Sequence, residues 1–131
     1  AADTVVARGG EVLGKPRDRA DARRMLSLLS GGDHSVFTGV CALDPCSAQR
    51  SCVVETRVRF RMLSEAQLSW LADAGDGDDK AGAYAVQGLA GAFIERIEGS
   101  TSNVVGLPLA ETLDLLAWAG LPLPWTDGRA G

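Results

Sequence analysis

The sequence predicts an α/β fold: a mixed, elongated β-sheet with helices packed against it. Three observations carry this expectation. Two short apolar strands flank Gly9-Gly10, amphipathic helical segments alternate with later strands, and the coarse order is β-β-α-β-β-α-loop-β-α.

The first two strands form a hairpin. Thr4-Val5-Val6-Ala7 and Glu11-Val12-Leu13 flank Gly9-Gly10, a pair suited to a two-residue turn that needs positive φ. That turn sets Arg8 opposite Glu11 and Thr4 opposite Lys15, with Cβ atoms roughly 5 Å apart in such a cross-strand pair. Asp3, Thr4 and Lys15 then gather at one end of the hairpin, where Pro16 stops the ladder. Residues 18–30 read as an amphipathic helix through Ala22, Met25, Leu26 and Leu29, capped by Asp18 and ended by Gly31-Gly32. Arg19, Arg23 and Arg24 lie off its apolar stripe, so a solvated outer face is favoured over a phosphate site.

His34 to Leu43 is expected to be a central strand, apolar on both faces. Ser51 to Met62 alternates: Cys52, Val54, Thr56, Val58 and Phe60 on one face, Glu55, Arg57, Arg59 and Arg61 on the other. Ser64 with Gln67 forms a capping box for a helix running to about Asp73. A glycine-rich polar loop spans 75–82, a short strand Ala92–Ile97, a loop 99–106 and a last helix 108–119.

The 131 residues are 46% hydrophobic and 23% charged, enough for a buried core without staples. A net charge of −4 and the lack of a basic stripe speak against a nucleic-acid partner. The apolar runs fall well short of the ~20 residues that span a bilayer, and with no basic-then-apolar pattern in the first residues a secretory signal is not expected. Cys41, Cys46 and Cys52 have neither the number nor the spacing of a zinc site. They are expected to be free thiols of a cytoplasmic protein.

Covalent catalysis finds no signature: G-x-S-x-G, a Walker A loop and H-E-x-x-H are all missing. His34, the single histidine, is assigned a structural role. Polar residues in apolar or glycine-rich surroundings remain: Asp3, Lys15, Asp78, Asp79, Lys80, Gln87, Ser102 and Asn103. Taken singly, Lys15 fits an ordinary turn and Asp78-Asp79 a solvated loop, whereas Asp3 and Gln87 stand out. Together they suit phosphate chemistry. Lysines hold anionic oxygens, carboxylates hold Mg²⁺ or Mn²⁺, and an amide or hydroxyl reads a base edge.

The blocks Ala2-Asp3-Thr4-Val5-Val6, Leu13-Gly14-Lys15-Pro16, Thr38-Gly39-Val40, Asp79-Lys80-Ala81-Gly82-Ala83-Tyr84 with Gln87-Gly88, and Ser102-Asn103-Val104-Val105-Gly106-Leu107-Pro108-Leu109 occur in that order. In them the chain resembles the Maf, or septum-formation, family of nucleoside triphosphate pyrophosphatases. The resemblance implies an elongated sheet beside a cleft, similar to that of inosine triphosphate pyrophosphatases. It also implies hydrolysis of dTTP- and UTP-like nucleotides to the monophosphate and pyrophosphate, a divalent metal (Mg²⁺ or Mn²⁺), and often a homodimer. Asp3 matches the family's proton acceptor or metal ligand, Thr4 and Gln87 match base-selecting positions, and Lys15 and Lys80 match phosphate-binding lysines. The resemblance also implies that Asp79 is a metal or lysine partner.

The family's Ser-x-Ser-Pro-Arg-Arg loop, expected upstream of Asp3, is not among these residues, and Thr101 stands where an aromatic is common. The expectation is therefore a Maf-like domain over 1–120 that is incomplete at its N-terminus and impaired in activity, followed by an irregular tail over 121–131. A non-catalytic nucleotide-binding or septum-regulating protein is the alternative.

Overall fold

A computed structural model describes residues 1–125; the end of the tail expected over 121–131 lies outside them. Five strands form one sheet in the order β2-β1-β3-β4-β5. They are β1 (Ala2–Arg8), β2 (Glu11–Leu13), β3 (Asp33–Leu43), β4 (Gln49–Phe60) and β5 (Ile94–Glu98). The helices are α1 (Arg19–Leu29), α2 (Glu65–Ala74), α3 (Thr101–Val105) and α4 (Leu109–Trp118). The α/β architecture with flanking helices is as expected, and every described strand pairing is antiparallel.

The hairpin keeps the register set by its turn: Arg8 pairs Glu11 and Val6 pairs Leu13. Gly9 takes φ +58°, the conformation that glycine supplies without a steric penalty. β2 ends at Leu13, so the Ala2–Val5 part of β1 is paired only on its β3 side. That leaves one edge of β1 open beside the loop that carries Lys15.

β3 does not have two equivalent faces. His34, Val36, Thr38 and Val40 are buried, while Ser35, Phe37, Gly39 and Cys41 are half-exposed. The reason is that the core lies on one face of the sheet. Val6, Val36, Val58 and Phe60 pack there against Met25, Leu26 and Leu29 of α1 and Leu68 and Leu71 of α2. Each such buried side chain contributes about 1.5–3 kcal/mol of apolar burial.

α1 begins as its sequence requires, with the Asp18 side chain accepting from Asp21 N–H at 2.8 Å. Asp21 is itself buried. Hydrogen bonds from the Arg17 N–H (2.9 Å) and Arg24 Nε (3.0 Å) hold its carboxyl down to about 2. The arginine cluster does more than face solvent. Arg19 donates to the Ala72 carbonyl, Arg23 pairs Glu65 and bonds Ser69 Oγ, and Arg24 pairs Glu11, so the cluster ties α1 to α2 and to the hairpin. Both halves of the Ser64–Gln67 capping box are present, and Gly75 closes α2 at φ +80°.

Residues 99–106, expected as a loop, contain the short helix α3. Ser100 Oγ accepts from Asn103 N–H at 3.1 Å and caps it. The fully buried Asn103 amide pins it to the sheet by donating to the carbonyls of Val36 (3.1 Å) and Val54 (3.0 Å) and to Thr56 Oγ1 (3.1 Å). Tertiary hydrogen bonds thus offset the weak helix propensity of a segment with three β-branched residues.

Candidate functional site

The free edge of β1, the end of the hairpin, the 79–87 segment and the end of α3 enclose a cleft of about 590 Å³. Asp3, Thr4, Lys15, Asp79, Lys80 and Gln87 all line it. Residues from three separate sequence blocks are therefore brought to one place.

Two contacts assemble this wall. Gly82 N–H donates to the Gly14 carbonyl at 3.1 Å, stitching the segment after Lys80 to the residue before Lys15. Gly82 has φ +75°, and a Cβ there would lie 3.0 Å from a Val6 methyl, so a side chain is doubly disfavoured. Ala83 follows in the same left-handed region (φ +65°) without being glycine, a conformation that stores backbone strain beside the cleft.

Asp3 is exposed, as are Lys15, Asp79, Lys80 and Gln87. Alternation along β1 turns Asp3 away from the core, although its sequence neighbours are apolar. Gln87 is likewise turned outward rather than enclosed. It stands at the mouth, on a turn fixed by Gly88 N–H to Ala85 O (2.9 Å) and by Leu89 N–H to the Asp76 carboxylate (3.0 Å). Lys80 Nζ lies 3.7 Å from Asp79, so Asp79 is a lysine partner in the geometry. Among the described residues, no three His, Cys, Asp or Glu side chains form a metal-holding group.

Thr4 is half-buried and directly opposite Thr38 in the β1–β3 register. Their hydroxyls are 2.9 Å apart, and Thr4 Oγ1 is 3.4 Å from the Gly106 carbonyl. Behind the cleft wall, His34 Nε2 meets the Tyr84 hydroxyl at 2.7 Å, and Phe60 stacks on the imidazole. Burial, assisted by the charge of Arg8 and opposed by Asp33, pushes the His34 pKa down to about 4. Burial raises that of the Tyr84 hydroxyl, which stays a phenol. The structural role assigned to His34 fits this packing. Cys41, Cys46 and Cys52 are unpaired.

Thr38, Tyr84 and Asp76 support the site but were not singled out from sequence as site residues. Thr38 pairs with Thr4 only once the β1–β3 register is known, and sequence periodicity does not supply that register.

The fold and the cleft define an α/β protein whose open site is lined by two carboxylates and two lysines among apolar residues, a set suited to a phosphorylated ligand. The family model for Maf-like protein matches residues 1–119, and the chain belongs to the Maf family. Proteins named dTTP/UTP pyrophosphatase are similar to it. The one from Anaeromyxobacter dehalogenans strain 2CP-C is 58% identical over 128 residues, covering 95% of this chain and 66% of that protein. Those from Myxococcus xanthus strain DK1622 (57% over 125 residues) and Brucella abortus strain 2308 (50% over 131 residues) are matched over 95% and 98% of this chain. The chain spans 63% of the length of each of these two relatives. No helix among the described residues is long and apolar enough to cross a membrane.

Proposed function

We propose that this chain carries a nucleoside triphosphate pyrophosphatase site for dTTP- and UTP-like nucleotides. The observation that carries the reading is the convergence of Asp3, Thr4, Lys15, Asp79, Lys80 and Gln87 on one cleft. The names of the relatives support the substrate class.

In this reading Lys15 and Lys80 hold the triphosphate as point charges, and Thr4 and Gln87 meet the base. Water adds to the α-phosphorus, the bond from that phosphorus to the α–β bridging oxygen breaks, and pyrophosphate leaves. The Asp3 carboxylate accepts the proton of the attacking water. Its exposure suits this role, because the attacking water can reach a carboxylate at the cleft edge.

The donor set also fits a hard divalent cation. Two cleft carboxylates, Asp3 and Asp79, are the number with which Mg²⁺ is commonly bound when phosphate and water complete its oxygen shell. Bound there, Mg²⁺ or Mn²⁺ would neutralise phosphate charge and acidify water. The reading carries a cytoplasmic location, supported by three unpaired thiols, and a homodimer, for which light scattering is the test.

The test is pyrophosphate release from each nucleoside triphosphate with Mg²⁺ or Mn²⁺, repeated on Asp3→Asn and Asp3→Ala. The expected result is release from dTTP and UTP that falls at least about 100-fold in both variants, the usual range for losing a general base. Activity that survives both substitutions removes Asp3 from the chemistry. Nucleotide binding without release leaves the non-catalytic alternative. Substituting Gln87 should shift nucleotide preference while leaving the fold intact.

A further inference from the structure

We propose that Thr38, buried behind the cleft, is a positioning residue that makes Thr4 a hydrogen-bond acceptor and thereby selects pyrimidines with an N3–H. The inference rests on the nucleotide reading above and deepens it.

The argument is a count of protons. Thr4 and Thr38 each have one hydroxyl proton, and their oxygens are 2.9 Å apart, so one must donate to the other. Two protein carbonyls are within reach: Gly106 O, 3.4 Å from Thr4 Oγ1, and Asn103 O, 3.4 Å from Thr38 Oγ1. If Thr38 donates to Thr4, the Thr4 proton goes to Gly106 O. If Thr4 donates to Thr38, the Thr38 proton goes to Asn103 O. Donation to both carbonyls at once would leave two oxygens 2.9 Å apart with no proton between them, which is repulsive. In both satisfied arrangements the Thr4 proton is used inside the protein, and only lone pairs remain for a ligand.

Thr4 lines the cleft; Thr38 is fully buried and does not. The acceptors are firmly placed. Asn103 and Gly106 belong to the α3 region, and Asn103 is anchored to β3 and β4 by its three side-chain hydrogen bonds. The base edge of uracil and thymine has a single donor, N3–H, flanked by two carbonyls. Cytosine has a lone pair at N3. A hydroxyl restricted to accepting meets the first and opposes the second. A site committed in this way discriminates by leaving a polar atom unpaired with the wrong partner.

The experiment is calorimetric titration of the chain, with Mg²⁺, against α,β-imido analogues of UTP and CTP, alongside pyrophosphate release from UTP. The wild type is expected to bind the UTP analogue about tenfold or more tightly than the CTP analogue, the size of one well-placed hydrogen bond. Thr38→Val removes the 2.9 Å partner and leaves the Thr4 proton only the longer 3.4 Å contact to Gly106 O, from which a ligand acceptor can draw it, so the ratio should narrow to within about threefold, whereas Thr38→Ser should keep it. A purely structural role for Thr38 would weaken both analogues alike and leave the ratio unchanged.

An unchanged ratio in folded Thr38→Val, or equal binding of the two analogues by the wild type, overturns the proposal. If Thr38→Val does not fold, Thr38→Ala takes its place. Binding of neither analogue together with no pyrophosphate release overturns the nucleotide reading, and the proposal with it. Discriminating binding without release overturns only the catalytic half of that reading, and the ratios still decide the role of Thr38.

Discussion

His34 Nε2 and the Tyr84 hydroxyl lie 2.7 Å apart, a buried hydrogen bond that joins β3 to the segment forming one wall of the cleft. Tyr84 also meets Phe60 edge-on, with ring centroids 5.0 Å apart, so three rings close the core behind the ligand-facing surface. His34 Nδ1 is buried with no hydrogen-bond partner. An imidazolium there would bring a second N–H that nothing accepts, next to the charge of Arg8, so the neutral ring is favoured.

The first prediction is a pH dependence of stability. The His34 pKa is lowered from 6.5 to about 4 by folding. Between those values the unfolded chain binds the extra proton and the folded chain does not, so stability rises with pH across that window. The contribution is complete above pH ~6.5 and is lost as pH falls toward ~4, to a total of about 3 kcal/mol. Urea unfolding midpoints from pH 4 to 8 should show this slope, and His34→Gln should flatten it. A slope that persists in the variant assigns the effect to another group.

The second prediction concerns Asn103, whose Nδ2 donors serve two backbone carbonyls and one hydroxyl in the interior. Asn103→Ala leaves those acceptors without their partner and should cost about 2–4 kcal/mol, more than one buried hydrogen bond. Asn103→Asp should be worse at neutral pH than at pH 4, because a carboxylate has no donor to give the carbonyls. Thermal unfolding at the two pH values, each against the wild type, checks this; equal melting shifts for Asn103→Asp at neutral pH and at pH 4 would contradict it.

Local signals carried most of the fold. The hairpin register followed from Gly9-Gly10, and the start of α2 from Ser64 and Gln67, because each is decided within a few residues. α3 was hidden because its stability comes from Asn103 reaching β3 and β4, 67 and 49 residues away; only the Ser100–Asn103 cap was a local clue. The same distinction holds at the cleft. Asp3, Thr4 and Lys15 were placed together by hairpin geometry. Lys80 and Gln87 joined them only through family resemblance, since the Gly14–Gly82 contact that brings them in leaves no trace in periodicity.

The third prediction tests the backbone of the Lys80 loop. A Cβ on Gly77 would lie 2.0 Å from the Ala83 carbonyl oxygen and 2.6 Å from Tyr84 N, both main-chain atoms that cannot swing aside. Gly77→Ala should therefore cost about 1–3 kcal/mol and displace the turn that carries Asp79 and Lys80. Gly14, by contrast, has nothing within 4 Å of its Cβ position and is not in the left-handed region. Gly14→Ala should change stability by less than about 0.5 kcal/mol, as a surface substitution does. Chemical denaturation of the two variants decides the matter; equal losses would show that the Gly77 contact relaxes freely.

The fourth prediction separates binding from folding at the two cleft lysines. Lys80 pairs with Asp79 at 3.7 Å, but both side chains are largely exposed, and such a pair is worth about 0–1 kcal/mol. Lys15 is also exposed, at the end of the hairpin. Neither lysine is needed to fold the chain, so Lys15→Ala and Lys80→Ala should leave thermal stability nearly unchanged. Triphosphate affinity should fall about tenfold in each, since hydrogen bonds involving a charged group contribute about 1.5–3 kcal/mol. The losses should shrink with added salt, because screening weakens exposed charge interactions. Titrating the α,β-imido UTP analogue at low and high ionic strength measures this. A variant that loses melting temperature instead of affinity would make its lysine a structural residue and remove it from the phosphate site.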